Sequence, residues 1–143
     1  MKRSRSVGGV VVSKKGEILV VSQYGTSWSL IKGTVERGED DKTTASREFK
    51  EEAGITNVTF IRELGTYERY VIAKDGSEDK SEWKTITIYL CKTPEEILKP
   101  EDPENPEAIW VNPNKVTELL THPKDKEFYE SVKQQVIDFI ETI

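Results

Sequence analysis

Two short runs without polar side chains, separated by a charged turn, open the chain. They cover residues 7–12 and 18–21, and the turn between them contains Lys14, Lys15, Gly16 and Glu17. Apolar runs of this length next to a glycine turn are typical of buried strands. The pattern predicts two strands joined by a tight turn, followed by a short extended piece at residues 28–31.

The next element follows helical periodicity. Ala45, Phe49 and Ala53 recur at intervals of four residues, which places them on one face of a helix. Asp40 is suited to cap the first turn, and Gly54 to the left-handed turn that ends many helices. The sequence therefore predicts a helix between Asp40 and Gly54.

Strand-like patterns return after this helix. Residues 58–73 form a strand-like stretch, and residues 85–91 alternate with period two. The two segments are expected to pair, with residues 74–82 as a long, mobile hairpin loop. A proline-rich loop at residues 94–106 and one more short strand at residues 108–111 follow.

Apolar positions at near-helical spacing end the chain and predict a terminal amphipathic helix that covers the sheet. These positions are Phe128, Val132, Val136, Phe139, Ile140 and Ile143. The length of 143 residues suits one core, because two cores would leave each near the lower limit for independent folding. We therefore expect a single domain over residues 1–143.

Composition narrows the possible classes. No apolar run approaches the roughly 20 residues of a membrane span, so neither an anchor nor a secretory signal is expected. The only cysteine, Cys91, forms no intramolecular disulfide, and we interpret it as structural, in a protein of the cytoplasm. The only histidine, His122, excludes zinc sites with several imidazoles and is expected to be a solvated loop residue.

The net charge of −5 disfavours broad binding to nucleic-acid backbones. A small phosphorylated ligand stays possible, because a bound metal can reverse the local sign of the charge. Glu48, Glu51 and Glu52 fall within one arc of the predicted helix, beside its apolar face. Such like charges repel unless a cation offsets them, and Mg²⁺ prefers oxygen ligands. The alternative is a solvated helix face with partial ion pairing.

The spacing around these glutamates resembles the Nudix box, Gly-x5-Glu-x7-Arg-Glu-U-x-Glu-Glu-x-Gly-U, where U is a bulky aliphatic residue. The matching residues are Gly33, Glu39, Arg47, Glu48, Glu51, Glu52, Gly54 and Ile55. Phe49 departs from the usual aliphatic residue and should alter packing rather than chemistry. The order of the strands also resembles the Nudix fold, an α+β fold in which a mixed sheet lies between helices.

The resemblance implies a set of metal ligands. In this superfamily the glutamates that match Glu48, Glu51 and Glu52 bind one to three Mg²⁺ or Mn²⁺ ions that bridge the diphosphate of the substrate. The backbone carbonyl at the position of Gly33 often adds a ligand, for which the small glycine is suited. The reaction is the attack of a metal-activated water on phosphorus, which splits a nucleoside diphosphate linked to another moiety.

The same resemblance implies supporting and catalytic roles. Arg47 is expected to orient the neighbouring glutamates, and Glu39 to tie the loop to the helix. The general base is either a glutamate of the box, such as Glu51 or Glu52, or a later one. Glu107, three residues before Trp110, matches the Glu-x-x-Trp pattern of that later base, although an ordinary loop acid is equally expected.

Weaker signals concern the substrate. Residues 28–33 resemble the Trp-x-x-Pro-Lys-Gly segment of Nudix enzymes that act on dinucleoside polyphosphates, diphosphoinositol polyphosphates or capped RNA ends, although Ile31 replaces the proline. Lys32 could hold a phosphate. Tyr70 lies near the position of a base-stacking tyrosine, although packing in a sheet is at least as expected. Arg5 could meet phosphates, although a basic terminal tail is usually solvated.

The leading hypothesis is therefore a Mg²⁺-dependent pyrophosphohydrolase of nucleoside polyphosphates, with dinucleoside polyphosphates favoured. The alternatives are hydrolysis of oxidised nucleotides such as 8-oxo-dGTP, of ADP-ribose or of RNA 5′ ends, and a nucleotide-binding domain without catalysis. A small nucleotide is the expected partner, without a membrane or stable nucleic-acid binding. Both a monomer and a homodimer fit.

Overall fold

A six-stranded mixed sheet forms the centre of the computed structural model, which describes all 143 residues. The elements are β1 (Lys2–Val12), β2 (Ile18–Gln23), β3 (Ser27–Thr34), α1 (Asp41–Ala53), β4 (Thr59–Ile72), β5 (Glu78–Lys92), β6 (Ala108–Val111), α2 (Val116–Leu119) and α3 (Pro123–Ile140). The strands lie in the order β4-β5-β1-β3-β2-β6. Only β1 and β5 run parallel.

Both faces of the sheet are covered, as the α+β prediction required. Side chains alternate along β1, so Val7 and Val11 join a core beneath α1 while Val10 and Val12 join a second core beneath α3. Phe49 is fully buried in the first core. The predicted sandwich of a mixed sheet between helices is confirmed. None of the helices combines the length and the apolar character that a membrane span requires.

The predicted boundaries of α1 are confirmed. The carboxylate of Asp40 accepts a hydrogen bond from the backbone N–H of Thr43 at 2.8 Å. Gly54 adopts the left-handed conformation with φ 70° and donates its N–H to the carbonyl of Lys50. Both ends of α1 are thus set by local contacts that the sequence encodes.

The hairpin between β1 and β2 is confirmed, but β1 extends further than predicted. Its basic N-terminal residues are exposed, as expected, but they belong to a strand and not to a tail, because β1 begins at Lys2 and pairs with β5 over its whole length. The prediction of a long loop at residues 74–82 was also wrong. Strand β5 already begins at Glu78 and pairs there with the end of β4, whereas its parallel pairing with β1 begins only at Glu82.

His122 is not a solvated loop residue. It is only 6% exposed and forms the N-cap of α3, where its Nδ1 accepts a hydrogen bond from the backbone N–H of Lys124 at 3.0 Å. Its Nε2 lies 3.0 Å from Oε1 of Glu78.

Cys91 is buried, as a structural residue should be, and burial raises the pKa of its thiol to about 12.

Candidate active site

A cleft of about 230 Å³ lies between α1 and the sheet. Glu48, Glu51 and Glu52 line it from α1, and we call these three residues the acidic wall. Glu52 is 3% exposed, and its Oε2 has no hydrogen-bond partner. Burial and the nearby Glu48 raise the pKa of Glu52. The cleft therefore contains a carboxylate that the protein leaves without a counterion.

The other two glutamates differ in exposure. Burial raises the pKa of Glu48, although the guanidinium of Arg47 acts in the opposite direction. The side chain of Glu51 is 44% exposed. One buried, one partly buried and one solvated carboxylate thus share the acidic wall.

Arg47 connects this wall to the preceding loop. Its Nη1 lies 2.6 Å from Oε1 of Glu48 and 3.5 Å from Oε2 of Glu51. Its Nη2 donates to the carbonyl of Thr34 at 3.0 Å, and its Nε donates to Glu39 at 2.9 Å. The guanidinium can therefore orient two glutamates through Nη1, because Thr34 and Glu39 hold its other two nitrogens in place.

Glu39 fastens the loop to the start of α1. Its Oε1 accepts hydrogen bonds from the backbone N–H of Glu36 and from the hydroxyl of Thr44, both at 2.9 Å. Its hydrogen bond from Arg47 lowers the pKa of this carboxyl to about 2. The ionised form is thereby stabilised, and Glu39 is held away from the cleft.

Three cations line the opposite side of the cleft: Lys32 on β3, Arg69 on β4 and Lys84 on β5. We call them the basic wall. Burial, followed by repulsion from Arg69, lowers the pKa of Lys32. The sequence analysis found only Lys32. Period two places Lys84 on the face of β5 that carries Ile86, in the core beneath α3, so its position in a cleft with the glutamates of α1 follows only from the fold.

Five predicted site residues lie outside the cleft lining. Arg47 and Glu39 support the lining glutamates as described above, whereas the other three make different contacts. Tyr70 packs edge-to-face on Trp83 with 4.9 Å between ring centroids. Arg5 forms an ion pair with Asp41 at 2.7 Å. Glu107 is exposed, and its backbone carbonyl accepts a hydrogen bond from Ser22. Arg5 thus contacts the first residue of α1 but not its glutamates, and none of these contacts could be inferred from spacing in the chain.

An aromatic residue that the sequence analysis missed does line the cleft. Tyr24 lies in the turn between β2 and β3 with a positive φ of 55° and 42% exposure. A left-handed conformation is uncommon for a bulky residue. The turn thus presents an exposed ring beside the acidic and basic walls.

The sequence profile of the NUDIX domain matches residues 2–132. The chain belongs to the Nudix family. An RNA pyrophosphohydrolase of Pelagibacter ubique is 30% identical over an alignment of 148 positions that covers 94% of this chain and 91% of that protein. Nudix hydrolase 25 of Arabidopsis thaliana is 26% identical, with 90% of this chain and 83% of that protein covered.

The fold agrees with this membership. The crystal structure of a C. elegans Ap4A hydrolase binary complex superposes with a TM-score of 0.74 at 20% identity, covering 95% of this chain and 99% of that chain. This Nudix protein is therefore a hydrolase of phosphoric anhydride bonds, a pyrophosphohydrolase. The resemblance found from the box alone is confirmed over almost the whole chain.

Nudix hydrolases generally depend on divalent metals, and the acidic wall fits such an ion. The unpartnered Oε2 of Glu52 needs a cation or a proton, and carboxylates are the ligands that Mg²⁺ and Mn²⁺ prefer. The carboxyl of Glu48 occupies the space beside Gly33 that a Cβ would fill. No three carboxylates lie close enough together to coordinate one metal ion in this structure. Glu48 and Glu51 are instead paired with Arg47.

Adding one methyl group at Gly33 should displace the Glu48 carboxyl, because a Cβ there overlaps it. We expect Gly33→Ala to lower kcat/KM by about 10- to 100-fold, the scale of a small misplacement in an active site. The overlap is with the end of a flexible side chain, so the melting temperature should change little. Enzyme kinetics and thermal unfolding measure the two effects.

A double-mutant cycle provides the control for this prediction. In a Glu48→Ala background, Gly33→Ala should cost no further activity, because the displaced group is absent. A similar loss in both backgrounds would contradict the displacement and would assign the effect to the backbone at Gly33.

Proposed function

We propose that this chain is a Mg²⁺- or Mn²⁺-dependent pyrophosphohydrolase of nucleoside polyphosphates, with dinucleoside polyphosphates as the favoured substrates. The observation that carries the proposal is the meeting of two oppositely charged walls in one cleft. The acidic wall suits a divalent metal, and the basic wall suits a chain of phosphates. The proposal treats residues 1–143 as one catalytic domain.

The three glutamates of the acidic wall have different roles, according to their exposure. Glu48 and Glu52, the more buried carboxylates, would hold the divalent ion, which would neutralise phosphate charge and make a water more acidic. Glu51, the exposed carboxylate, accepts a proton from the attacking water. Arg47 keeps Glu48 and Glu51 oriented, and the carbonyl of Gly33 is available as a further oxygen ligand.

The substrate lies across the cleft. Lys32 binds a phosphate oxygen as a point charge, and the exposed ring of Tyr24 offers a surface on which a base stacks. Phosphoryl transfer depends mainly on positioning and charge neutralisation, which these groups supply. The second moiety of a dinucleoside polyphosphate extends into solvent from the open cleft.

A specific relative favours a second candidate substrate, the 5′ end of an RNA. The Pelagibacter ubique RNA pyrophosphohydrolase aligns with nearly the full length of both chains. A triphosphorylated RNA end and a dinucleoside polyphosphate share a chain of phosphates attached to a nucleoside. The same two walls therefore accommodate both, and only turnover separates them.

A substrate screen tests the proposal. Diadenosine tetraphosphate, 5′-triphosphorylated RNA, ADP-ribose, dGTP and 8-oxo-dGTP are incubated with the protein in Mg²⁺ or EDTA, and the products are separated by chromatography. We expect Mg²⁺-dependent turnover, fastest for diadenosine tetraphosphate. Faster cleavage of ADP-ribose or 8-oxo-dGTP would assign one of those substrates instead, and no turnover would indicate a nucleotide-binding domain.

Because Glu107 lies outside the cleft lining, we place the general base on α1. Glu107→Gln should therefore keep kcat within about twofold of the parent protein, as expected for a surface substitution. Glu51→Gln should lower kcat by about 10²-fold, the contribution of a general base. A large loss in Glu107→Gln together with a small loss in Glu51→Gln would move the base to Glu107.

A further inference from the structure

Four polar side chains lie together on the sheet floor of the cleft: Lys32, Arg69, Lys84 and Ser6. They come from four neighbouring strands, in the order β4, β5, β1 and β3. Arg69 lies directly opposite Lys84 in the ladder, and like charges in this position repel each other. This repulsion favours the binding of an anion beside the two side chains.

The acidic wall does not neutralise these cations. None of Lys32, Arg69 and Lys84 forms an ion pair within 4.0 Å of a carboxylate of α1, and the only ion pair of the three joins Arg69 to Asp125. The ammonium of Lys84 donates to the hydroxyl of Thr34 at 3.1 Å. Charge on the sheet floor is therefore available to a ligand.

Arg69 is held rigidly from behind. It is 3% exposed, and its Nε donates to Oδ1 of the buried Asp125, in the first turn of α3, at 2.8 Å. The hydroxyl of Tyr67 donates to the same oxygen at 2.5 Å, and Nη1 of Arg69 donates to the carbonyl of Tyr70 at 2.9 Å. These bonds use Nε and Nη1 and leave Nη2 free to bind in the cleft.

Ser6 provides an independent sign of a missing ligand. It is 1% exposed and lines the cleft, yet its Oγ has no hydrogen-bond partner. A buried hydroxyl without a partner costs free energy. A phosphate oxygen accepts hydrogen bonds from a hydroxyl, an ammonium and a guanidinium alike, so one ligand satisfies all of these groups.

We propose that Arg69, Lys84, Lys32 and Ser6 form a phosphate subsite for the part of the polyphosphate chain that extends away from the acidic wall. Asp125 and Tyr67 are positioning residues, because they hold Arg69 without facing the ligand. The subsite favours chains of three or more phosphates over the two of ADP-ribose. This inference rests on the proposed function for the identity of the substrate.

Binding of inorganic tripolyphosphate in EDTA tests the subsite without turnover. Its ³¹P NMR signals should shift when protein is added. Lys84→Gln, which removes a cation without leaving a buried acid unpaired, should weaken binding at least tenfold. Arg69→Gln with Asp125→Asn removes the guanidinium and its counterion together and should have a similar effect.

Matched surface variants control this measurement. Lys80→Gln on β5 and Arg62→Gln on β4 remove the same charges at exposed positions of the same strands, and both should bind within twofold of the parent protein. If Lys84→Gln and Lys80→Gln weaken tripolyphosphate binding equally, the effect comes from net charge alone, and the proposed subsite is wrong. No shift with the parent protein would also overturn it.

Steady-state kinetics test the positioning role of Asp125. Asp125→Asn should raise the KM for diadenosine tetraphosphate about tenfold. The kcat for both substrates and the KM for ADP-ribose should stay within twofold of the parent values. A purely structural role would lower the melting temperature without this split, which would contradict positioning. If no substrate is turned over, the proposed function fails while the ³¹P measurement still decides the subsite.

Discussion

Replacing Glu52 by Gln should lower the rate of hydrolysis by about 10³-fold in Mg²⁺, the scale expected when a metal site loses a charged ligand. The side chain keeps its size, so the fold of α1 is preserved. In EDTA, the variant should be at least as stable as the parent protein. Loss of activity and gain of stability are thus expected from one substitution.

The reason is the burial of a carboxylate that has one oxygen without a hydrogen-bond partner. Oε2 of Glu52 accepts no hydrogen bond, and burial raises the pKa of the group. Because the pKa of Glu52 is higher in the folded than in the unfolded chain, the free energy of unfolding falls as the pH rises above the pKa of the unfolded chain. Protonation of the carboxylate at lower pH restores it. A neutral amide removes that cost, so the carboxylate is retained at the expense of stability.

Two measurements check this prediction. Chromatographic assays compare turnover of the parent protein with Glu52→Gln, while Glu127→Gln on the exposed face of α3 is the control and should be unchanged. Mg²⁺ should raise the melting temperature of the parent protein and of the control more than that of Glu52→Gln. Near-parental turnover in Glu52→Gln would refute the acidic wall as the metal site.

Replacing Phe49 by Ala should lower the free energy of unfolding by about 3–5 kcal/mol, the usual cost of removing a fully buried aromatic ring. Phe49 has no exposed surface and lies on the face of α1 that carries Ala45 and Ala53. Its ring also stacks on Phe60 at 6.0 Å between centroids. The small alanines leave this ring as the main anchor of α1 to the sheet.

Urea unfolding gives the stability of Phe49→Ala, and Phe49→Leu is the matched control. Leucine is one of the usual residues of the box at this position, and it removes less volume than alanine does, so Phe49→Leu should cost clearly less free energy than Phe49→Ala. Turnover should fall in Phe49→Ala beyond the loss of folded protein, because α1 carries the acidic wall. Equal stability of the two variants would show that the ring does not anchor α1.

Much of the acidic wall could be predicted from the sequence, because its geometry is local. Glu48, Glu51 and Glu52 lie on one helix whose turns fix their relative positions. Asp40 and Gly54 begin and end that helix through contacts within four residues. Local rules are sufficient for such a segment.

Other expectations failed where distant segments meet. His122 is followed by a proline in a polar stretch and looks solvated, but Glu78 from β5 contacts its ring and α3 begins at it. For Tyr70 the sequence left base stacking and packing in the sheet open, and the structure packs it on Trp83, outside the cleft lining. Neither partner could be found from spacing along the chain.

The sequence by itself determined the family and the helix that carries the glutamates. Only the tertiary structure decided what faces those glutamates. Arg69 and Lys84 become neighbours through the register of β4 and β5, and Asp125 reaches Arg69 from a helix 56 positions later in the chain. Helical neighbours follow from the repeat of a single segment, whereas contacts between strands and helices depend on how the whole chain packs.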